Sequence, residues 1–242
     1  MTIVSLVLIG WQFNIERFKR VIPGLVEMNP MTAVSFLLNS VALWVLSNKT
    51  QLKPTKRAAA VIFASLAIVV GASKLADLFL HTSFELDQLL FRKTINTVFI
   101  GTPNRMAPNT ALNIVLLGFA LVLIDIEFEK KYRPAQLLTL IFGSISLVAV
   151  VGYAYNMVNL YGIPTYIPMA LHAALCFLIL GIGLFLARPH AGVLLLLTKE
   201  GILGKLWANL SLRKKIVSQF WITHCLTTAF FRHYSYQPEL HS

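Results

Sequence analysis

From Ala135 to Ala187 the chain carries no Asp, Glu, Lys or Arg. No other feature limits its folding options so strongly. A soluble domain exposes much of its surface to water and spreads charges along it. The stretch also exceeds one bilayer crossing, which takes about 20 helical residues. Asn156, Asn159, Gly162, Pro164 and Pro168 punctuate its middle. It therefore reads as two spans, 135–156 and 167–187, separated by a turn.

The rest of the sequence fits the same solvent. Hydrophobic residues make up 57% and charged residues 13% of the 242 positions, against about 45–50% and about 25% in soluble domains. Mean hydropathy is +0.70. Disorder is excluded, because disordered chains are poor in Leu, Ile, Val and Phe. Further apolar runs predict helices at 31–47, 58–80 and 107–126, with a short one at 1–12. A seventh segment, 213–231, is less apolar and starts on Arg213, Lys214 and Lys215; it suits either a short span or a helix lying in the headgroups. Residues 1–12 lack the basic start and small-residue cleavage site of a secretory signal. Pro30, Pro108 and Pro168 are placed in first helical turns, where a missing N–H costs little.

The formal charge is +11. Nucleic-acid binding would need a basic stripe on a soluble face, whereas these bases clump between apolar runs. Segments after the second, fourth and sixth spans hold 13 Lys and Arg, and the opposite segments hold 7. That asymmetry predicts the first set, and both ends of a six-span core, to be cytoplasmic. The two cysteines, Cys176 and Cys225, give no disulfide framework.

Three spans open alike, at Pro30-Met-Thr-Ala, Pro108-Asn-Thr-Ala and Pro168-Met-Ala-Leu-His-Ala-Ala. With Thr32, Thr110 and Ala173 aligned, Ser40, Gly118 and Gly181 share one depth. Ala42, Ala120 and Gly183 share another. Small residues let helix backbones approach in lipid, where packing drives association. Ser40, Gly118, Ala120, Gly181 and Gly183 are therefore the expected packing positions. Gly71 and Gly152 match in the second helices of the first two pairs. The fold class expected is all-α: a polytopic integral membrane bundle of six to seven helices built from a repeated helix pair. The third pair's second helix would fall near Ile216.

The segments Leu86-Asp-Gln-Leu-Leu-Phe91, Asn104–Leu112 and Leu116-Leu-Gly-Phe-Ala-Leu121 carry a resemblance. So do Tyr161-Gly162, Met169-Ala-Leu-His172, Leu180-Gly-Ile-Gly-Leu184 and Ala187-Arg-Pro189. Together, from about Ile22 to Gly204, they resemble the N-terminal membrane region of bacterial PAS-containing sensor histidine kinases and related diguanylate cyclases. The resemblance implies an inner-membrane sensory or anchoring module, residues 1–204, with a basic tail at 205–242. In that family two more spans and cytoplasmic output modules follow. No kinase or cyclase motif occurs before Ser242, so the expectation is a truncated relative without catalysis. A small transporter or channel-like protein, or a ligand-free assembly subunit, is the alternative.

Few residues could carry chemistry. His172, near the outer end of a span, could ligate a metal or haem or titrate. A haem would want a second axial histidine, which no facing span offers; a neutral imidazole bonded to a neighbouring helix is the simpler role. Asn39 and Asn113 could line a polar pocket or make interhelical hydrogen bonds. Asp87 would cap or tether an external segment. Lys74 and Asp77 mark an outward helix end. Tyr153, Tyr155, Tyr161 and Tyr166 form an interfacial aromatic belt. Neither metal nor cofactor is expected. The expected partners are the lipid bilayer and a second copy or a membrane signalling protein, and no nucleic acid.

Overall fold

The computed structural model describes residues 2–19, 25–47, 53–80, 82, 84, 86, 89–90, 105–127, 133–155 and 168–187. Seven helices and no strand occur among them. They are α1 (Thr2–Gln12), α2 (Glu16–Lys19), α3 (Pro30–Ser47), α4 (Pro54–Phe79), α5 (Pro108–Val122), α6 (Pro134–Ala154) and α7 (Leu171–Ala187). Three of them, α3, α4 and α6, are long and apolar enough to cross a membrane; α1, α5 and α7 are shorter apolar helices. The proposed segment 213–231 lies outside the described residues.

Proline punctuates most of the starts. Pro30 and Pro108 open their helices as expected, and Pro54 and Pro134 do the same. Two starts differ from the expectation, and α5 ends at Val122, four residues before the expected 126. Helix α4 begins four residues before Ala58, taking in Lys56 and Arg57, because its first turn is exposed and solvates those cations. Helix α7 begins at Leu171, so Pro168 precedes the first turn.

Helices α3, α5 and α7 all touch one another and form the centre. Phe36 and Phe177 meet with ring centroids 4.5 Å apart. Gly183 approaches Leu43, so α3 and α7 run the same way. Ile114, at the register of Phe36 and Phe177, is fully buried like both of them. The alignment made on Thr32, Thr110 and Ala173 extends outward from there. Met28, Met106 and Met169 share one register and are all buried, as are Leu46, Ile124 and Ala187 at the other end.

Helices α1, α4 and α6 run the opposite way around this centre. Helix α4 packs on α3 and α5, and α6 packs on α5 and α7. Helix α1 lies against α3, buries Val4, Val7 and Trp11, and is tied to the start of α3 by Trp11 Nε1 donating to Met28 O at 2.9 Å. Glycine sets the spacing at the tightest crossings. A Cβ on Gly71 would stand 2.8 Å from Ala111 O, and one on Gly118 would stand 2.4 Å from Ile68 Cγ1. Branched apolar side chains such as Ile62, Leu66, Val69, Leu147 and Ile182 point outward, where acyl chains would take them up.

Arg57 at the start of α4 lies 3.5 Å from Asp125 after α5. Arg133 pairs with Glu127 before α6. These pairs gather three helix ends on one side of the bundle. Cysteines introduced at Lys53 and Lys131 should be labelled by impermeant reagent only from that side, and those at Asn104 and Gly162 only from the other. Labelling of positions 131 and 162 from one side would reject this arrangement.

Candidate functional site at the common start of the central helices

Helices α3, α5 and α7 begin at the same end, and a small recess with room for about one water molecule lies between them. Its wall repeats one register three times. Glu27, Arg105 and Pro168 stand five positions before the aligned Thr32, Thr110 and Ala173. Asn29, Ala107 and Ala170 stand three before. The recess is therefore placed by the alignment of the three helices, each contributing its first turn. Helix N-termini carry partial positive charge and unsatisfied N–H donors, and three of them converge here.

Local capping trims that donor set. Asn29 Oδ1 accepts from Met31 N at 2.8 Å, and Asn109 Oδ1 accepts from Thr110 N at 3.0 Å. Both are short Asx contacts that pre-shape a helix start. The Thr32 and Thr110 side chains are 2% and 3% exposed. Glu27, 3% exposed, puts a carboxylate on the wall, and Arg105 stands exposed.

Beside the recess a second polar knot closes the α1–α3 connection. Lys19 is fully buried. Its Nζ donates to Asn14 Oδ1 and lies 4.7 Å from the centroid of the Trp11 ring. Its carbonyl accepts from Met28 N. Asn14 adopts φ 55° to make the turn, a conformation Asn tolerates better than most residues. The knot holds Met28 and Glu27 against the helix starts.

The residues singled out from sequence fall in several places. Asn113 joins two helices: its Nδ2 donates to Ser146 Oγ at 3.0 Å and to Phe142 O at 3.3 Å. Asn39 is fully buried in α3, and neither its Nδ2 nor its Oδ1 has a hydrogen-bond partner among the described residues. It thus departs from the interhelical bonding expected of it. His172 is buried at the start of α7, and its Nε2 likewise has no such partner. The expected bond to a neighbouring helix is absent there. Asp87 lies outside the described residues. Asp77 does mark a helix end, its Oδ1 accepting from Thr82 Oγ1 and Phe84 N. Tyr153 donates to Met169 O at 2.7 Å, tying α6 to the entry of α7, and Tyr155 is exposed.

Among the packing positions, Gly118, Ala120 and Gly181 are buried, while Ser40 and Gly183 are half-buried. Cys176 is buried with a free thiol. Among the described residues no three His, Cys, Asp or Glu side chains gather as a metal site would need.

Sequence reasoning passed over Glu27, Arg105 and the two threonines as a group. The available signal was the aligned repeat itself. Extending it toward the N-terminus from Thr32, Thr110 and Ala173 brings Met28, Met106 and Met169 into register, with the charged positions one residue earlier. Comparison with family models, with curated proteins and with solved structures gives no match.

Proposed function

We propose that this chain is an integral membrane input module of the signal-transduction type, held in the inner membrane with its recess on the non-cytoplasmic side. The observation that carries the reading is a recess open at one end of the bundle and floored by packed apolar side chains. Beneath it, Phe36, Ile114 and Phe177 fill the centre. A cavity with a floor suits ligand binding coupled to helix displacement, whereas a transporter wants polar groups around a helix break at mid-depth. The resemblance to membrane regions of sensor kinases and diguanylate cyclases supports the same class.

In this reading six helices span the bilayer as three hairpins. Each hairpin is an outward helix followed by an inward one: α1 with α3, α4 with α5, and α6 with α7. The short helices reach across through the polar residues at their ends and local thinning of the bilayer. In this pairing each of the six helices has a partner.

The test is a chimera. Residues 1–204, followed by two membrane spans of a sensor kinase of the resembling class, are joined to that kinase's cytoplasmic domain. Thr110→Trp, which fills the recess, should change autophosphorylation about five-fold or more. Equal phosphorylation by the parent chimera and the filled variant, with both inserted, would reject the input role. Solute flux by the reconstituted 242-residue chain would promote the transporter reading instead.

A further inference from the structure

We infer that residues 216–231 of this chain dock as a further helix in a slot between α3 and α7, in line with α1. The inference stands apart from the input-module reading.

The register shared by α3, α5 and α7 breaks at one place. Gly118 and Gly181 are buried, but Ser40 at the same level is half-buried. Four residues on, Val122 and Phe185 are half-buried, whereas Trp44 is 53% exposed. On α7, Gly183 is half-buried where Ala42 and Ala120 are buried, and Ile179 is exposed where Leu38 and Leu116 are half-buried. Each pair is spaced four residues apart, so each lies on one helix face. Gly118 meets the preceding helix α4, and Gly181 meets the preceding helix α6. Ser40 and Trp44 therefore belong to the face that α3 turns toward α1. Gly183 approaches Leu43 of α3. The four residues wall a single slot.

Helix α1 fills only part of it. Trp11 and Tyr153 donate to Met28 O and Met169 O, carbonyls of one register. Trp11 thus corresponds to Tyr153, and Thr2 to Ser144. Residues 134–143 of α6, which include Thr139 and Phe142 over Gly181, have no counterpart in α1 (Thr2–Gln12). That stretch is about 15 Å of helix.

Direction, reach and length identify the occupant. Helices α4 and α6 fill the two equivalent slots and start just after Lys53 and after Lys130, Lys131 and Arg133; Ile216 follows Arg213, Lys214 and Lys215. Helix α7 ends at Ala187, at the end where α4 and α6 start, and residues 188–212 are ample to reach the slot. Residues 216–231 would fill the uncovered stretch and overhang it by about a turn and a half. Helix α4 overhangs alike, because Ile68 over Gly118 lies farther from Pro54 than Phe142 over Gly181 lies from Pro134. Ser40 and Gly183 admit a close helix backbone, as small residues do in lipid.

The test is disulfide scanning of the full chain in membranes. With Cys176 and Cys225 replaced by alanine, Ser40→Cys is paired in turn with Thr227→Cys, Thr228→Cys, Ala229→Cys and Phe230→Cys. Oxidation should link position 40 within one chain to positions 227 and 230, spaced like Thr139 and Phe142, and spare 228 and 229. Gly183→Ile should abolish the links, while the bundle absorbs it, because a Cβ there meets only the Leu43 side chain. Links between two chains would give the slot to a second copy. Absence of any link would leave it to acyl chains. Either result, equal linking at all four positions, or links that survive Gly183→Ile would overturn the inference.

Discussion

Gly118→Ala should destabilise the bundle in detergent by about 1–3 kcal/mol, the usual cost of overpacking. That lowers the thermal midpoint by several degrees, at about 2–4 °C per kcal/mol for a chain of this size. The added methyl would meet Ile68 Cγ1 at 2.4 Å and the Ala64 carbonyl at 3.1 Å. The first is the branch of a helical isoleucine and the second is backbone, so neither yields without moving α4. Gly118→Leu should separate α4 from α5 and abolish folded protein. Gly181→Ala should be milder, because its Cβ would meet only the Phe142 and Thr139 side chains, at 3.3 Å and beyond. Gly143 has nothing within 4 Å of such a Cβ, so Gly143→Ala should gain up to about 1 kcal/mol from helix propensity. Equal midpoints for the alanine variants at 118 and 143 would show that α4 and α5 do not cross as described.

Asn39→Leu and Asn113→Leu should act with opposite sign. The Asn39 amide is fully buried with neither atom hydrogen-bonded among the described residues. Leaving such a group unmade costs about 1–3 kcal/mol in protein mutational data. Leucine branches at the same carbon, and Leu117 and Leu180 already hold the equivalent register in α5 and α7. Asn39→Leu should therefore raise the thermal midpoint. Asn113→Leu removes two bonds from Nδ2 to α6 and leaves Ser146 with its internal bond to Phe142 O. It should cost about 0.6–2 kcal/mol, the range for interhelical bonds in membranes. A loss of stability at position 39 would show that its amide is satisfied in the folded protein by a group outside the described residues.

The two asparagines illustrate how far residue type carries. Both are polar residues inside apolar runs, and sequence treats them alike. Asn113 sits where Ser146 and a helical carbonyl of α6 reach it; Asn39 is fully buried with no such partner among the described residues. The difference lies in which helix stands opposite, and hydropathy along one strand of sequence holds no record of that. The same holds for the small residues. Ser40, Gly118 and Gly181 share a register, yet only Gly118 admits no extra atom, because the facing residue on α4 is a β-branched isoleucine close to its backbone.

Sequence alone determined the apolar character, the helical class, most helix starts and the register that three central helices share. Each of these is a local or additive property: apolar content over about 20 residues, a proline at a first turn, small residues at matched depth. Tertiary structure alone decided that α3, α5 and α7 pack together at the centre, that Tyr153 and Trp11 tie loop carbonyls to helices, and that Glu27, Arg105, Thr32 and Thr110 share one recess. Those groups lie far apart along the chain. They meet because three helices begin at one level around a common axis, and that level is set by packing at Phe36, Ile114 and Phe177 rather than by any residue of the recess itself.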